Sequence, residues 1–94
     1  MRVIDLILLM SDFNKNNRIL VENSPQNLAV VDVQIVDQKI ILQTSTKLKG
    51  LKNWEFILMI NKTPYYKLPV FFSYQKKHQQ LFGFRVTGDQ LLLG

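Results

Sequence analysis

The chain has 94 residues, a net charge of +5 and no cysteine. That limits it to one domain around one core and excludes a disulfide framework, a thiolate nucleophile and cysteine-ligated zinc. An apolar share of 47% with 20% charged residues is that of a folding chain, not a disordered one, and a small domain without cysteine favours a cytoplasmic home. The charge is uneven. Four cations stand against five carboxylates up to Thr44, and eight against two after it, so the basic excess lies in the second half. Such asymmetry suits either a polyanion-binding face or a lysine-rich, solubilising surface.

Val3, Leu6, Ile7 and Met10 fall at the i, i+3, i+4, i+7 spacing of one helical face and predict a helix of about three turns, stopped by the polar run Ser11 to Asn17. The apolar run is too short to span a bilayer, Asp5 interrupts it and no small-residue cleavage site follows, so it reads as a core helix rather than a leader. Ile4, Leu8 and Leu9 fill most of the remaining circumference, and only Arg2, Asp5 and Asp12 keep a wet stripe. Either the helix is buried between layers or its second apolar face meets another subunit.

Arg18 to Glu22 predicts a short strand, ended by the turn residues Asn23 to Asn27. In LAVVDVQIV, Ala29, Val31, Val33 and Ile35 alternate with Asp32 and Gln34, the pattern of a half-buried strand. Asp37-Gln38 makes a tight turn into KIILQT, with Ile40 and Leu42 on the expected inner face.

Ser45 to Asn53 is polar, basic and holds Gly50, the best candidate for a mobile connection. NWEFILMI, with Trp54, Phe56, Leu58 and Ile60 in alternation and few polar residues between, predicts a central strand covered on both sides. FFSYQKKHQQLFGF then reads as a hairpin with a lysine-rich loop and its phenylalanines inward. A turn at Gly88-Asp89 leads into the apolar tail Leu91-Leu92-Leu93. No internal repeat stands out. The expected fold is α+β: one N-terminal helix packed on a curled, mostly antiparallel sheet of about five or six strands. Residues 1–44 supply the helix and a meander, and residues 53–94 a β-rich basic half.

The stretch from Val3 to Leu42 resembles small uncharacterised bacterial and phage-borne proteins that open with a "DLIxLL" helix, a polar break and an "RxLVE" strand. Those close a hairpin in "VxIVDxKIIL". The matching positions are Asp5-Leu6-Ile7, Arg18 to Glu22 and Val33 to Leu42, less than half of the chain. The resemblance implies a helix-plus-meander fold in a bacterial cytoplasm or mobile element, and it carries no catalytic residues to transfer.

For an enzyme the inventory is poor. His78 is the only histidine, and the chain has no nucleophile elbow, no carboxylate cluster at metal-ligand spacing and no phosphate-cradling glycine motif. The expectation is a non-enzymatic interaction module without cofactor, metal or membrane span, whose partner is another protein or a second copy. Ile4, Leu8, Leu9, Leu91, Leu92 and Leu93 are the candidate dimer surface, since they exceed what one small core needs. The alternative is nucleic-acid binding by the second half, where Tyr65, Tyr66 and Tyr74 would stack bases and Lys67, Lys76, Lys77 and Arg85 would meet phosphates. That alternative requires the three tyrosines to gather on one exposed side, and Phe82 and Phe84 are expected in the core.

Overall fold

A computed structural model describes all residues from Met1 to Gly94. The fold is α+β, with two helices and seven strands in the order α1 (Val3–Met10), β1 (Arg18–Val21), β2 (Leu28–Val36), β3 (Lys39–Ser45), α2 (Asn53–Ile60), β4 (Val70–Tyr74), β5 (Lys77–Gln80), β6 (Phe84–Thr87) and β7 (Gln90–Leu93). A 3₁₀ turn, Thr63–Tyr65, joins α2 to β4. No helix is long and apolar enough to cross a membrane.

All strands form one mixed sheet, ordered β5-β4-β3-β2-β1-β7-β6. The β3–β4 and β1–β7 pairs are parallel, where a mostly antiparallel sheet was expected. β5 and β6 stand at opposite ends of that order, yet only Leu81, Phe82 and Gly83 separate them in the chain. Leu81 N–H donates to Val70 O (3.3 Å) in β4, while Phe82 N–H and Gly83 N–H donate to Gly94 O (3.2 and 3.1 Å) just past β7. One bent strand therefore touches both ends, and the sheet closes on itself as a barrel does.

The closed sheet is built from two α-β-β-β units that the sequence does not announce. Ile19, Leu20 and Val21 lie opposite Leu91, Leu92 and Leu93, and Val70, Phe71 and Phe72 lie opposite Ile40, Ile41 and Leu42 in the same register. Val33 to Val36 face Leu42 to Lys39 as Phe84 to Thr87 face Leu93 to Gln90. The helix entries agree bond for bond: Val3 N–H donates to Leu68 O (2.9 Å) and Asn53 N–H to Asn17 O (2.8 Å), and Ile4 N–H donates to Tyr66 O and Trp54 N–H to Lys15 O (3.0 Å each). The period is about fifty residues, within the range of structural repeats. β2 of the first unit corresponds to β5 and β6 together in the second, so each unit lends its last strand to the first strand of the other.

The core follows this symmetry. Sixteen buried apolar residues form it, among them the equivalent pairs Leu6/Phe56, Met10/Ile60, Ile19/Val70, Val21/Phe72, Val30/Leu81, Ile40/Leu91 and Leu42/Leu93. Both helices bury their first, fourth and last residues and open with a carboxylate three residues in. The Asp5 carboxylate accepts from Arg2 N–H at 3.1 Å and that of Glu55 from Lys52 N–H at 3.0 Å, which satisfies a backbone donor that the first turn leaves without a partner.

Four expectations need correction. NWEFILMI is a helix, not a strand: the unbroken apolar run from Phe56 to Ile60 has no period to read, and the deciding signals are Glu55 in the first turn and Pro64 past the end. In β2 a bulge between Val30 and Asp32 shifts the alternation, so that Leu28, Val30 and Val33 point to the core while Ile35 is exposed. Phe82 is 79% exposed and Phe84 half-buried, because the chain changes neighbours at this corner. The link through Gly50 and Leu51 is pinned rather than loose: Leu51 N–H donates to Val30 O (2.7 Å), Leu51 O accepts from Ile19 N–H (2.9 Å), and Gly50 O accepts from Arg18 Nη1 (2.9 Å).

Candidate docking surface

The two helices pack against each other so that the start of α2 meets the end of α1. Asn53 Nδ2 donates to Met10 O at 2.8 Å and to Asn14 O at 3.4 Å, capping carbonyls that the last turn of α1 leaves open. With Nδ2 placed between two carbonyls, the other amide atom is fixed as oxygen. Asn53 Oδ1 is buried and has no hydrogen-bond partner.

The outer side of the helix pair is apolar. Leu8 is 63% and Leu58 65% exposed, and these two are equivalent positions of the two units; Leu9, Phe13 and Trp54 add exposed surface beside them. Ile4 is half-buried. Between α2 and the loop after α1, Met10, Phe13, Trp54, Ile57 and Leu58 line a groove of about 370 Å³, with Asn53, Ser11 and Lys15 as its polar members. Phe13 is held at its edge by an edge-to-face contact with Phe84, ring centroids 5.3 Å apart. Across the internal symmetry, the positions of Asn14 and Lys15 are taken by Tyr65 and Tyr66, which pack half-buried against the core. No cavity opens on that side. The groove, formed between the two units, thus has no counterpart at the symmetry-related position.

Of the predicted dimer surface, Ile4, Leu8 and Leu9 lie on this helix pair. Leu91, Leu92 and Leu93 are buried, since β7 is an inner strand between β1 and β6, and they offer no surface. Phe13, Trp54 and Leu58 were not anticipated. Reading NWEFILMI as a strand hid the last two, and only the i, i+4 spacing of Trp54 and Leu58 could have placed them together.

The proposed nucleic-acid residues are dispersed. Tyr65, Tyr66 and Lys67 precede β4, whereas Tyr74 ends it and Lys76 and Lys77 follow, a strand length of roughly 16 Å away. Tyr66 Oη donates to Asn61 Oδ1 at 2.6 Å, and Lys62 covers the Tyr65 ring at 5.8 Å from its centroid. Arg85 is ion-paired with Glu22 across β6, β7 and β1. His78 is exposed on β5, and no group of three or more His, Cys, Asp or Glu residues converges. Comparisons with protein-family models, with curated proteins and with solved structures find no match for this chain.

Proposed function

We propose that this protein is a non-enzymatic interaction module that presents the outer side of its helix pair to a protein partner. The observation that carries the reading is an apolar groove with Leu58 exposed in its wall, while Leu8 is exposed at the equivalent position of the other helix. Water disfavours exposed apolar surface of this kind unless something covers it. The cytoplasmic, bacterial or phage setting rests on the cysteine-free composition and on the resemblance of the first half. The dispersal of the tyrosines and the pairing of Arg85 weigh against a nucleic-acid face.

Two titrations of dilute protein test this. A hydrophobic dye is expected to light up on the native chain and to lose that signal in the double variant Leu8→Ser/Leu58→Ser, with the far-ultraviolet spectrum unchanged. A labelled mixed-sequence oligonucleotide is expected not to bind at low salt. Dye emission indifferent to the double variant, or oligonucleotide affinity that falls by about one logarithmic unit per logarithm of salt for each phosphate met, overturns the reading.

A further inference from the structure

We propose that a cleft on the outer face of the sheet binds a small organic anion, a carboxylate or phosphate on a short apolar body, held by Arg18. This goes beyond the docking reading and does not depend on it. Strand alternation builds the floor of the cleft. Ile19 and Val21 point into the core, so Arg18 and Leu20 point out, and the pairings of Arg18 with Gln90 and of Leu20 with Ala29 set those residues beside them on the same face. The link after β3 is held against this floor by Arg18 Nη1 on Gly50 O and by Leu51 N–H on Val30 O. Leu48, Lys49 and Gly50 thereby wall a cleft of about 410 Å³, within the range of small-molecule sites.

The cation in this cleft has no counter-ion. Of the three arginines in the chain, the two exposed ones each hold a carboxylate, Arg2 that of Asp5 and Arg85 that of Glu22. Arg18 is half-buried, yet its guanidinium makes one hydrogen bond, from Nη1 to the neutral Gly50 O. Asp89 borders the same cleft but forms no ion pair with it. Partial burial penalises a charge left unpaired, and the unused donors of a guanidinium form a planar fork that matches two oxygens of a carboxylate or phosphate. Lys49 supplies a second cation at the rim, and the Gln90 carboxamide stands beside Arg18. Leu20, Ala29 and Leu48, the last 64% exposed, offer apolar surface that a bare ion would leave uncovered, which selects an anion with an organic body. At the equivalent place in the second unit Pro69 bridges Arg2 as Arg18 bridges Lys52, and no cleft opens there.

The test titrates phenyl phosphate into isotope-labelled protein, with inorganic phosphate and benzyl alcohol as its two separated parts, and follows backbone and side-chain N–H resonances. The expected result is saturable binding of phenyl phosphate in the millimolar range or tighter, with shifts gathered at Leu20, Ala29 and Gly50 and at the side chains of Arg18 and Gln90. Inorganic phosphate should bind about tenfold more weakly, and benzyl alcohol should not saturate. A parallel titration with benzoate identifies the anion, since the tighter of benzoate and phenyl phosphate names it as carboxylate or phosphate. Arg18→Lys keeps the charge and loses the fork, and should weaken binding about tenfold. Lys49→Gln, at an exposed position that does not threaten folding, should weaken it about two- to fivefold. Shifts that never saturate, shifts spread over every lysine-bearing segment, or an affinity indifferent to both variants overturn the proposal. Inorganic phosphate binding as tightly as phenyl phosphate overturns the organic body as part of the ligand.

Discussion

The two α-β-β-β units share element order, register and helix entry, and they differ where chemistry meets solvent. Behind the first helix, Asn14 and Lys15 bring no ring to the core, and a groove stays open against α2. Behind the second comes a 3₁₀ turn with Tyr65 and Tyr66, which pack on the core and leave no cavity. Val3 in one unit is Asn53 in the other, both buried. Long β2 in one unit is broken into β5 and β6 in the other, and β5 carries Lys77, His78, Gln79 and Gln80, all exposed. Inside the barrel the exchanges conserve apolar character, as in Leu6 and Phe56. Symmetric positions under the same packing demand diverge little, and the departures collect at the groove beside α2 and on the exposed strand β5.

The largest effects should come from the core, where the comparison predicts equality. Leu6 and Phe56 are both fully buried and equivalent. Leu6→Ala should cost about 2–5 kcal/mol and Phe56→Ala about 3–5 kcal/mol. Because each unit lends its last strand to the other, the units cannot melt apart. Urea unfolding of either variant should remain a single transition with an unchanged slope. A second transition in either variant would show that the units are separable and break the argument from interlocked strands.

An intermediate effect sharpens the difference between the links. Gly50 joins the two units, and a Cβ placed there would clash with the carbonyl oxygen of Ile19. Gly83, at the corner between β5 and β6, has nothing within 4 Å of the same added atom. Gly50→Ala should therefore destabilise by about 1–3 kcal/mol, since backbone rather than a flexible side chain must yield. Gly83→Ala should stay within about 0.5 kcal/mol. Equal melting temperatures for the two variants would show that the link is not held against β1.

The sequence disclosed the first unit better than the second for a physical reason. β2 and β3 are long, end in a turn with positive φ at Asp37 and Gln38, and show Ile40 and Leu42 at strand spacing, so their hairpin could be drawn from period and turn chemistry. The second unit spells the same elements in other letters. Phe56, Ile57, Leu58, Met59 and Ile60 are apolar at every position and suit a buried strand as well as a helix. The polar Gln79 and Gln80 of β5 hide their kinship to Leu28 and Ala29. The repeat itself rests on register, with Ile19 answering to Val70 and Val21 to Phe72, and pairing is a property of the folded sheet that no single residue type records. The groove needed a contact between two segments some forty residues apart, Met10 to Lys15 and Asn53 to Leu58, and that distance lies beyond any local pattern.

The smallest effect concerns the helix entries. Asp5 accepts a hydrogen bond from the Arg2 backbone N–H and two from its guanidinium, at 3.2 and 3.3 Å. Glu55 receives the backbone N–H of Lys52 in the same place. The Arg2 side chain, with its backbone N–H in support, holds the Asp5 carboxyl below its ordinary range. A carboxyl whose pKa is depressed by folding contributes stability above its unfolded value and loses it as pH falls through the folded one. Asp5→Asn should therefore lower the melting temperature slightly at neutral pH, and the gap to the parent should close on acidification below the usual carboxylate range. Both partners are well exposed, so added salt should shrink the gap at neutral pH. A gap that persists undiminished in acid would show that the charge of the Asp5 carboxylate is not its source.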